Sequence, residues 1–385
     1  MSIWVEIAEK IKQIYPSKDF LPLHEPTFLG NEIPYVNECI ETGWVSSVGK
    51  YVNKFEDSLA DYAGVKRAVA VVNGTAALHI ALKTVGIQPN DEILIPSLTF
   101  IATGNAVSYC GATPHFVDVS KTTLGIDPKK LKDYLNEISI LKNNVCINKF
   151  TGKVIRAIVP MHTFGHSVDL DHLIEVCEQY NLILIEDAAE SLGTYYKGKH
   201  TGSFGKVSAM SFNGNKIVTT GGGGAILTND EKLADYAKHL TTTAKVPHPW
   251  KYEHDDIGYN YRMPNINAAL GLAQLEKLDS FIQNKRNLVN KYIEIIENYS
   301  GIEIFIEPSF SKSNYWLQTI LIDDQQHSIE NALEILNQLG IMSRPAWTPL
   351  HKLAPYKNCP KSDLSVTEKL FKQIVNIPSS PYLGE

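Results

Sequence analysis

One lysine, Lys216, stands in the run Ser208-Ala209-Met210-Ser211-Phe212-Asn213-Gly214-Asn215-Lys216-Ile217-Val218-Thr219-Thr220, which leads into Gly221-Gly222-Gly223-Gly224. A lysine in such a stretch is most often a surface residue in a turn. The setting favours a different reading, because residues 207–212 and 225–227 read as strands and place Lys216 between core elements. A lysine held in a dry site has a lowered pKa and can attack a carbonyl to form a Schiff base. The glycines after it remove side chains where a backbone must bend sharply or lie against a ligand.

Three other stretches carry chemistry of a matching kind. The apolar run Ala68-Val69-Ala70-Val71-Val72 ends in Asn73-Gly74-Thr75-Ala76-Ala77-Leu78-His79. Strand, glycine, hydroxyl residue and helix aim free backbone N–H groups and a positive helix end at one spot, which suits a phosphate. Thr75 could equally be a plain helix cap. The strand Glu92-Ile93-Leu94-Ile95-Pro96 is followed by Phe100, either a core aromatic or a group at the sheet edge where open α/β sheets bind ligands. The strand Leu182-Ile183-Leu184-Ile185-Glu186 delivers Asp187-Ala188-Ala189-Glu190-Ser191 to the same edge. Asp187 could cap a helix, ligate a metal, or form the charged bond that keeps a pyridine nitrogen protonated. No second acid or histidine lies at metal spacing, so no metal is expected. Lysine, phosphate cradle, ring-stacking group and acid are together what pyridoxal phosphate requires.

Strands alternating with helices over residues 68–228 predict a mostly parallel, three-layer α/β domain. After Asp230 the character changes. A polar, aromatic loop, Gly258-Tyr259-Asn260-Tyr261-Arg262-Met263-Pro264-Asn265, precedes one long helix with apolar Leu272, Leu275, Leu278, Ile282, Val289, Tyr292 and Ile296. Short strands at 315–322, a helix at 329–339 and a strand at 341–344 then predict a small α+β domain. At the other end, helical spacing over 3–15 stops at Pro16, and an irregular arm follows. The expected division is 1–30 for the N-terminal helix and arm, 31–262 for the large domain and 263–385 for the small one.

Bulk properties remove several classes of function. With 385 residues the chain is long enough for two cores. A net charge of −6 gives no reason to expect nucleic-acid binding. No apolar run approaches a membrane span and no signal pattern opens the chain. The five cysteines are scattered without a CxxC pair, so a reducing cytoplasm is the expected location. A nicotinamide enzyme would need a GxGxxG turn after the first strand, and Asn73-Gly74-Thr75-Ala76-Ala77 does not provide it.

Taken in order, Asn73-Gly74-Thr75-Ala76-Ala77, Phe100, Glu186-Asp187-Ala188-Ala189-Glu190, Ser211 with Lys216, and Gly258-Tyr259-Asn260-Tyr261-Arg262 resemble the DegT/DnrJ/StrS sugar aminotransferases. The resemblance implies the type I fold of pyridoxal-phosphate aminotransferases and amination of a keto group on a nucleotide-linked sugar. It implies that Lys216 forms the Schiff base with the cofactor and shuttles the proton, and that Asp187 pairs with the pyridine nitrogen. Phe100 would stack on the ring, and Gly74, Thr75 and Ser211 would hold the phosphate. Asn260 would join them from a partner subunit, so a homodimer is implied. Glu190 would lie near the ring hydroxyl, where relatives commonly have glutamine.

The stretches Pro22-Leu23-His24-Glu25-Pro26, Gly43-Trp44-Val45-Ser46-Ser47 and Asn314-Tyr315-Trp316-Leu317 are similar to the branch of bacillosamine and legionaminic acid synthesis. That likeness implies transfer from L-glutamate to the 4-keto group of a UDP-linked 2-acetamido-2,6-dideoxy-hexos-4-ulose. The alternatives are a GDP- or dTDP-linked keto-sugar of perosamine type, or a non-catalytic regulator that binds a sugar nucleotide. Members that dehydrate sugars replace the lysine with histidine, which Lys216 argues against. Arg344, Trp347 and His351 are the candidate substrate contacts.

Overall fold

The computed structural model describes residues 2–385. Its centre is a seven-stranded sheet built from β1 (Arg67–Val71), β2 (Glu92–Pro96), β3 (Thr113–Val117), β4 (Ile155–Ile158), β5 (Ile183–Asp187), β6 (Val207–Ser211) and β7 (Gly224–Thr228). The spatial order is β1-β7-β6-β5-β4-β2-β3. Neighbours pair in parallel except for β7, which runs antiparallel to both β1 and β6. A parallel sheet covered on both faces needs apolar side chains on both, which is why these strands read as continuous apolar runs.

Alternation along each strand splits those side chains between two layers. Val69, Val71, Ile93 and Ile95 pack with α4 (Gly74–Thr84), α5 (Ile101–Tyr109) and α8 (Glu231–Thr241) on one face. On the other face Leu94, Val117 and Ile158 pack with α6 (Pro128–Ile138) and α7 (Leu170–Tyr180). Further along that face, Ala68, Ala70 and Leu227 meet α3 (Lys50–Ala63) and α9 (Asn265–Leu275). This is the three-layer arrangement expected from the sequence.

A second sheet closes the chain. Its strands β8 (Ile302–Ile304), β9 (Gln318–Ile322), β10 (Arg344–Pro345) and β11 (Ile374–Ile377) follow the order β8-β9-β11-β10, all antiparallel. The strand expected at 341–344 pairs only at Arg344 and Pro345, while Ile341 bridges Leu21 of the N-terminal arm. The single long helix expected after residue 265 is two, α9 and α10 (Leu278–Ile296), interrupted at Glu276 and Lys277. Apolar spacing carries across that interruption, so periodicity could not reveal it. The two helices serve different cores: Leu272 and Leu275 join the large domain, and Leu288, Tyr292 and Ile296 join the small sheet.

The N-terminal helix α1 (Ile3–Ile14) also belongs to the small core. Trp4, Ile7 and Ile11 are buried in one cluster with Leu288, Tyr292, Ile320 and Leu336 of α11 (Ile329–Gln338). No helix among the described residues is long and apolar enough to cross a membrane.

Trp4 is 1% exposed, so truncating it removes a large part of what fastens α1. Trp4→Ala should lower unfolding free energy in urea by about 3–5 kcal/mol, the usual cost of emptying an aromatic core site. A loss under about 1 kcal/mol would show that α1 is not integral to that core.

Candidate active site

Because β1, β2, β5 and β6 run in the same direction, their carboxyl ends open onto one edge of the sheet. A cavity of about 310 Å³ lies there, with Gly74, Thr75, Phe100, Asp187, Glu190, Ser211, Lys216 and Trp347 among its lining residues. Residues from Asn73 to Trp347, far apart in sequence, thus meet around one space.

The wall at β1 is an anion cradle. Asn73 has extended backbone, and its side chain accepts the Ala76 N–H at 2.8 Å, so Asn73, not Thr75, caps α4. Thr75, free of that role, lines the cavity at the first turn of the helix. Gly74 is obligatory by contact: a Cβ there would lie 2.9 Å from Cβ of Ser211 and 3.1 Å from its Oγ. Gly224, the last of the four-glycine tail, has the same reason, since a Cβ there would stand 2.5 Å from the Asn73 carbonyl oxygen. Close backbone passage brings the Ser211 hydroxyl and the α4 N-terminus together, an arrangement suited to a phosphate.

Lys216 lies in the connection between β6 and β7. The loop is pinned by Phe212 N–H to the Gly223 carbonyl at 2.8 Å, Lys216 N–H to the Asn213 carbonyl at 2.9 Å, and the Trp316 indole N–H to the Asn215 carbonyl at 2.8 Å. Its side chain is 13% exposed, with Nζ 3.1 Å from Oε1 of Glu190 and 3.7 Å from the Trp316 ring centroid. An amine so placed is shielded from bulk water yet open to the cavity.

Two buried acids face it. Asp187 accepts the Thr103 hydroxyl at 2.7 Å and the Ala189 N–H at 3.2 Å. Burial pushes its carboxyl up in pKa, against the pull of Thr103, Ala189 and Lys216. A cationic N–H donor within the cavity would relieve that cost, as a protonated ring nitrogen does. Burial likewise pushes Glu190 up to about 7, opposed chiefly by Lys216. Beneath them Glu186 takes the N–H groups of Gly202, Phe204 and Gly205 at 2.7–2.8 Å and pairs with His162 Nε2 at 3.0 Å. Burial favours the neutral acid there, but His162 and those amides outweigh it and hold Glu186 below the usual range. Cradle, acid and shielded amine together fit pyridoxal phosphate.

Not every residue singled out from the sequence reaches the cavity. Arg344 is exposed and donates to the carbonyl of Ser343 and to Asn337, away from the lining. His351 is buried, with Nδ1 2.7 Å from Ser97 Oγ and Nε2 3.1 Å from Glu368, so both ring nitrogens are occupied in tying its turn to the sheet and to the helix Ser365–Phe371. Asn260 is exposed beside Arg262 and does not line this chain's cavity. Conversely, Trp316 and Thr103 escaped sequence reasoning. Trp316 stood out only as part of a branch motif, and Thr103 lay unremarked one helical turn beyond Phe100.

Comparison with known proteins agrees with this geometry. Residues 27–385 match the DegT/DnrJ/EryC1/StrS aminotransferase family. The chain is 38% identical to the GDP-perosamine synthase of Caulobacter vibrioides over 362 residues, covering 94% of this chain and 93% of that one. It is 39% identical to the GDP-perosamine synthase of Escherichia coli O157:H7 over 368 residues, covering 95% and 94%. Among solved structures, a DegT/DnrJ/EryC1/StrS aminotransferase from Brucella abortus superposes with a TM-score of 0.82 at 29% identity, covering 91% of each chain. The match spans nearly the whole chain and agrees with the observed fold. The chain belongs to the DegT/DnrJ/EryC1/StrS family and is a pyridoxal-phosphate-dependent aminotransferase.

Proposed function

We propose that the chain transfers an amino group from L-glutamate to the 4-keto carbon of a GDP-linked deoxy-sugar, with Lys216 moving the proton in each half of the reaction. The observation that carries this reading is the shielded Lys216 amine, 3.1 Å from Glu190, in the cavity that Asp187 also lines. For the nucleotide, the support is two relatives at 38% and 39% identity, each named as a GDP-perosamine synthase. The UDP-linked N-acetyl substrate expected from the sequence has no such support and becomes the second choice.

In this reading Gly74, Thr75 and Ser211 hold the cofactor phosphate, Phe100 covers the ring, and Asp187 keeps its nitrogen protonated. When bound, pyridoxal phosphate supplies an electron sink that makes the C–H bond beside the transferred nitrogen acidic. Lys216 then has a single task repeated twice: to take that proton and to return it to the neighbouring carbon. The pinned loop fixes Nζ for this, and the surrounding side chains keep bulk water from competing. Trp347 at the cavity mouth is the substrate contact we retain of the three expected; Arg344 and His351 carry no role here. A second copy of the chain would supply Asn260, so we take the working unit to be a homodimer in the cytoplasm. We also keep two domains, but move the boundary expected at 262/263 to the break between α9 and α10, because Leu272 and Leu275 pack in the large core, and we attach 1–30 to the small domain through α1.

Wild-type protein incubated with glutamate and GDP-, UDP- or dTDP-linked 4-keto-6-deoxy sugars should show the mass change of amination most strongly with the GDP-linked compound. Turnover confined to UDP-linked N-acetyl sugars would overturn the nucleotide assignment. Lys216→Ala should lower turnover at least about a thousandfold, and Asp187→Asn about a hundredfold or more with the fold intact. Undiminished amination by Lys216→Ala would end the proposal.

A further inference from the structure

Glu190 divides its two oxygens between two tasks. Oε2 accepts the Phe164 N–H at 2.9 Å. Phe164 is held in left-handed backbone (φ 55°, ψ 17°), and its ring packs 5.0 Å from that of Trp347 at the cavity mouth. Any acceptor of the same shape could hold that turn. Oε1 takes no part in it and lies 3.1 Å from Lys216 Nζ.

The charged groups facing the Glu190 carboxyl are few. Lys216 favours the ionised form and Asp187 opposes it; the Phe164 amide bonds the second oxygen, and the Trp316 ring lies 3.7 Å from Nζ on the lysine side. The carboxylate is therefore balanced by one cation alone. Remove the charge on Nζ, and a buried anion is left uncompensated beside a second acid. An unpaired buried charge in that position is strongly disfavoured, and taking up a proton is the easier outcome.

We propose that Glu190 is the proton partner of Lys216: it takes the proton released when the lysine ammonium condenses with a carbonyl and returns it when the amine is freed. The balance is simple. Of the three hydrogens on the ammonium, two leave with the carbonyl oxygen as water and the third passes to the Glu190 carboxylate. A C=N bond replaces a C=O bond, nothing is oxidised or reduced, and lysine and glutamate together are neutral before and after. Glutamine, which the family resemblance implies is common at this position, would keep the Phe164 bond through its carbonyl oxygen but could not accept the proton.

This inference rests on the proposed function, and its test separates the two. Full-length protein stripped of cofactor is mixed with pyridoxal phosphate at about pH 8, above the value of about 7 to which burial raises Glu190, so the carboxyl starts mostly ionised. Infrared difference spectra should then gain the carbonyl band of one protonated carboxyl per site as the lysine condenses, together with the near-ultraviolet absorption of an uncharged C=N bond. In Glu190→Gln condensation should proceed without that carboxyl band, and about one more proton per site should reach the medium. A yellow product in the wild type with no new carboxyl band overturns the proposal alone, because the third hydrogen has then stayed on the nitrogen. The same carboxyl band in Glu190→Gln also overturns it, because another acid would then be the acceptor. If the wild type does not condense with the cofactor at all, the functional reading falls and this inference falls with it.

Discussion

The constraint on which this molecule turns is the burial of two carboxylates, Asp187 and Glu190, at 2% and 3% exposure on one sheet edge. Neither is tolerable there without a partner. Lys216 answers for Glu190 directly, while Asp187 has the Thr103 hydroxyl and the Ala189 amide, neutral donors that leave its pKa raised. An edge that holds one acid matched and one only partly matched is built to receive a cation. A protonated pyridine would meet that need, and a phosphate would find its own complement at the start of α4. On the reading proposed above, cofactor recognition is largely the settlement of charges that the fold has already taken out of water.

Much of the remaining architecture exists to bring these groups close. The parallel strands carry Asp187 and Ser211 to the same edge as Gly74 and Phe100. The antiparallel β7 inserts between β1 and β6, so its first residue passes directly beneath Asn73 and can only be glycine. The small domain contributes Trp316 over the lysine and Trp347 at the mouth. α9 and α10 join the two cores, which fixes those tryptophans relative to the sheet.

How far could the sequence alone have reached? The strands announced themselves because a doubly covered parallel sheet demands continuous apolar runs, and their carboxyl ends pointed to Asp187 and the Asn73-Gly74-Thr75 turn without further information. Lys216 was legible from its place between two strands and before four glycines. Contacts between distant segments were not. Nothing in local pattern places the Trp316 ring over an amine 100 residues earlier, nor ties His351 to Ser97. The docking of α1 on the small sheet and the interruption at Glu276 and Lys277 are likewise tertiary facts, invisible to a helical period that both sides share. The nucleotide was the weakest point: motif likeness suggested UDP, whereas the named relatives favour GDP.

One other lysine is as dry as the site requires. Lys285 is fully buried with its Nζ bonded to the Ser379 carbonyl, and burial pulls its pKa well down. Chemistry at a buried amine does not by itself therefore identify position 216. Borohydride reduction of the cofactor-loaded protein, followed by peptide mass spectrometry, distinguishes the two. The account requires the pyridoxyl mass on the peptide bearing Lys216 and on no other; a mark on Lys285, or none on any lysine, would contradict it.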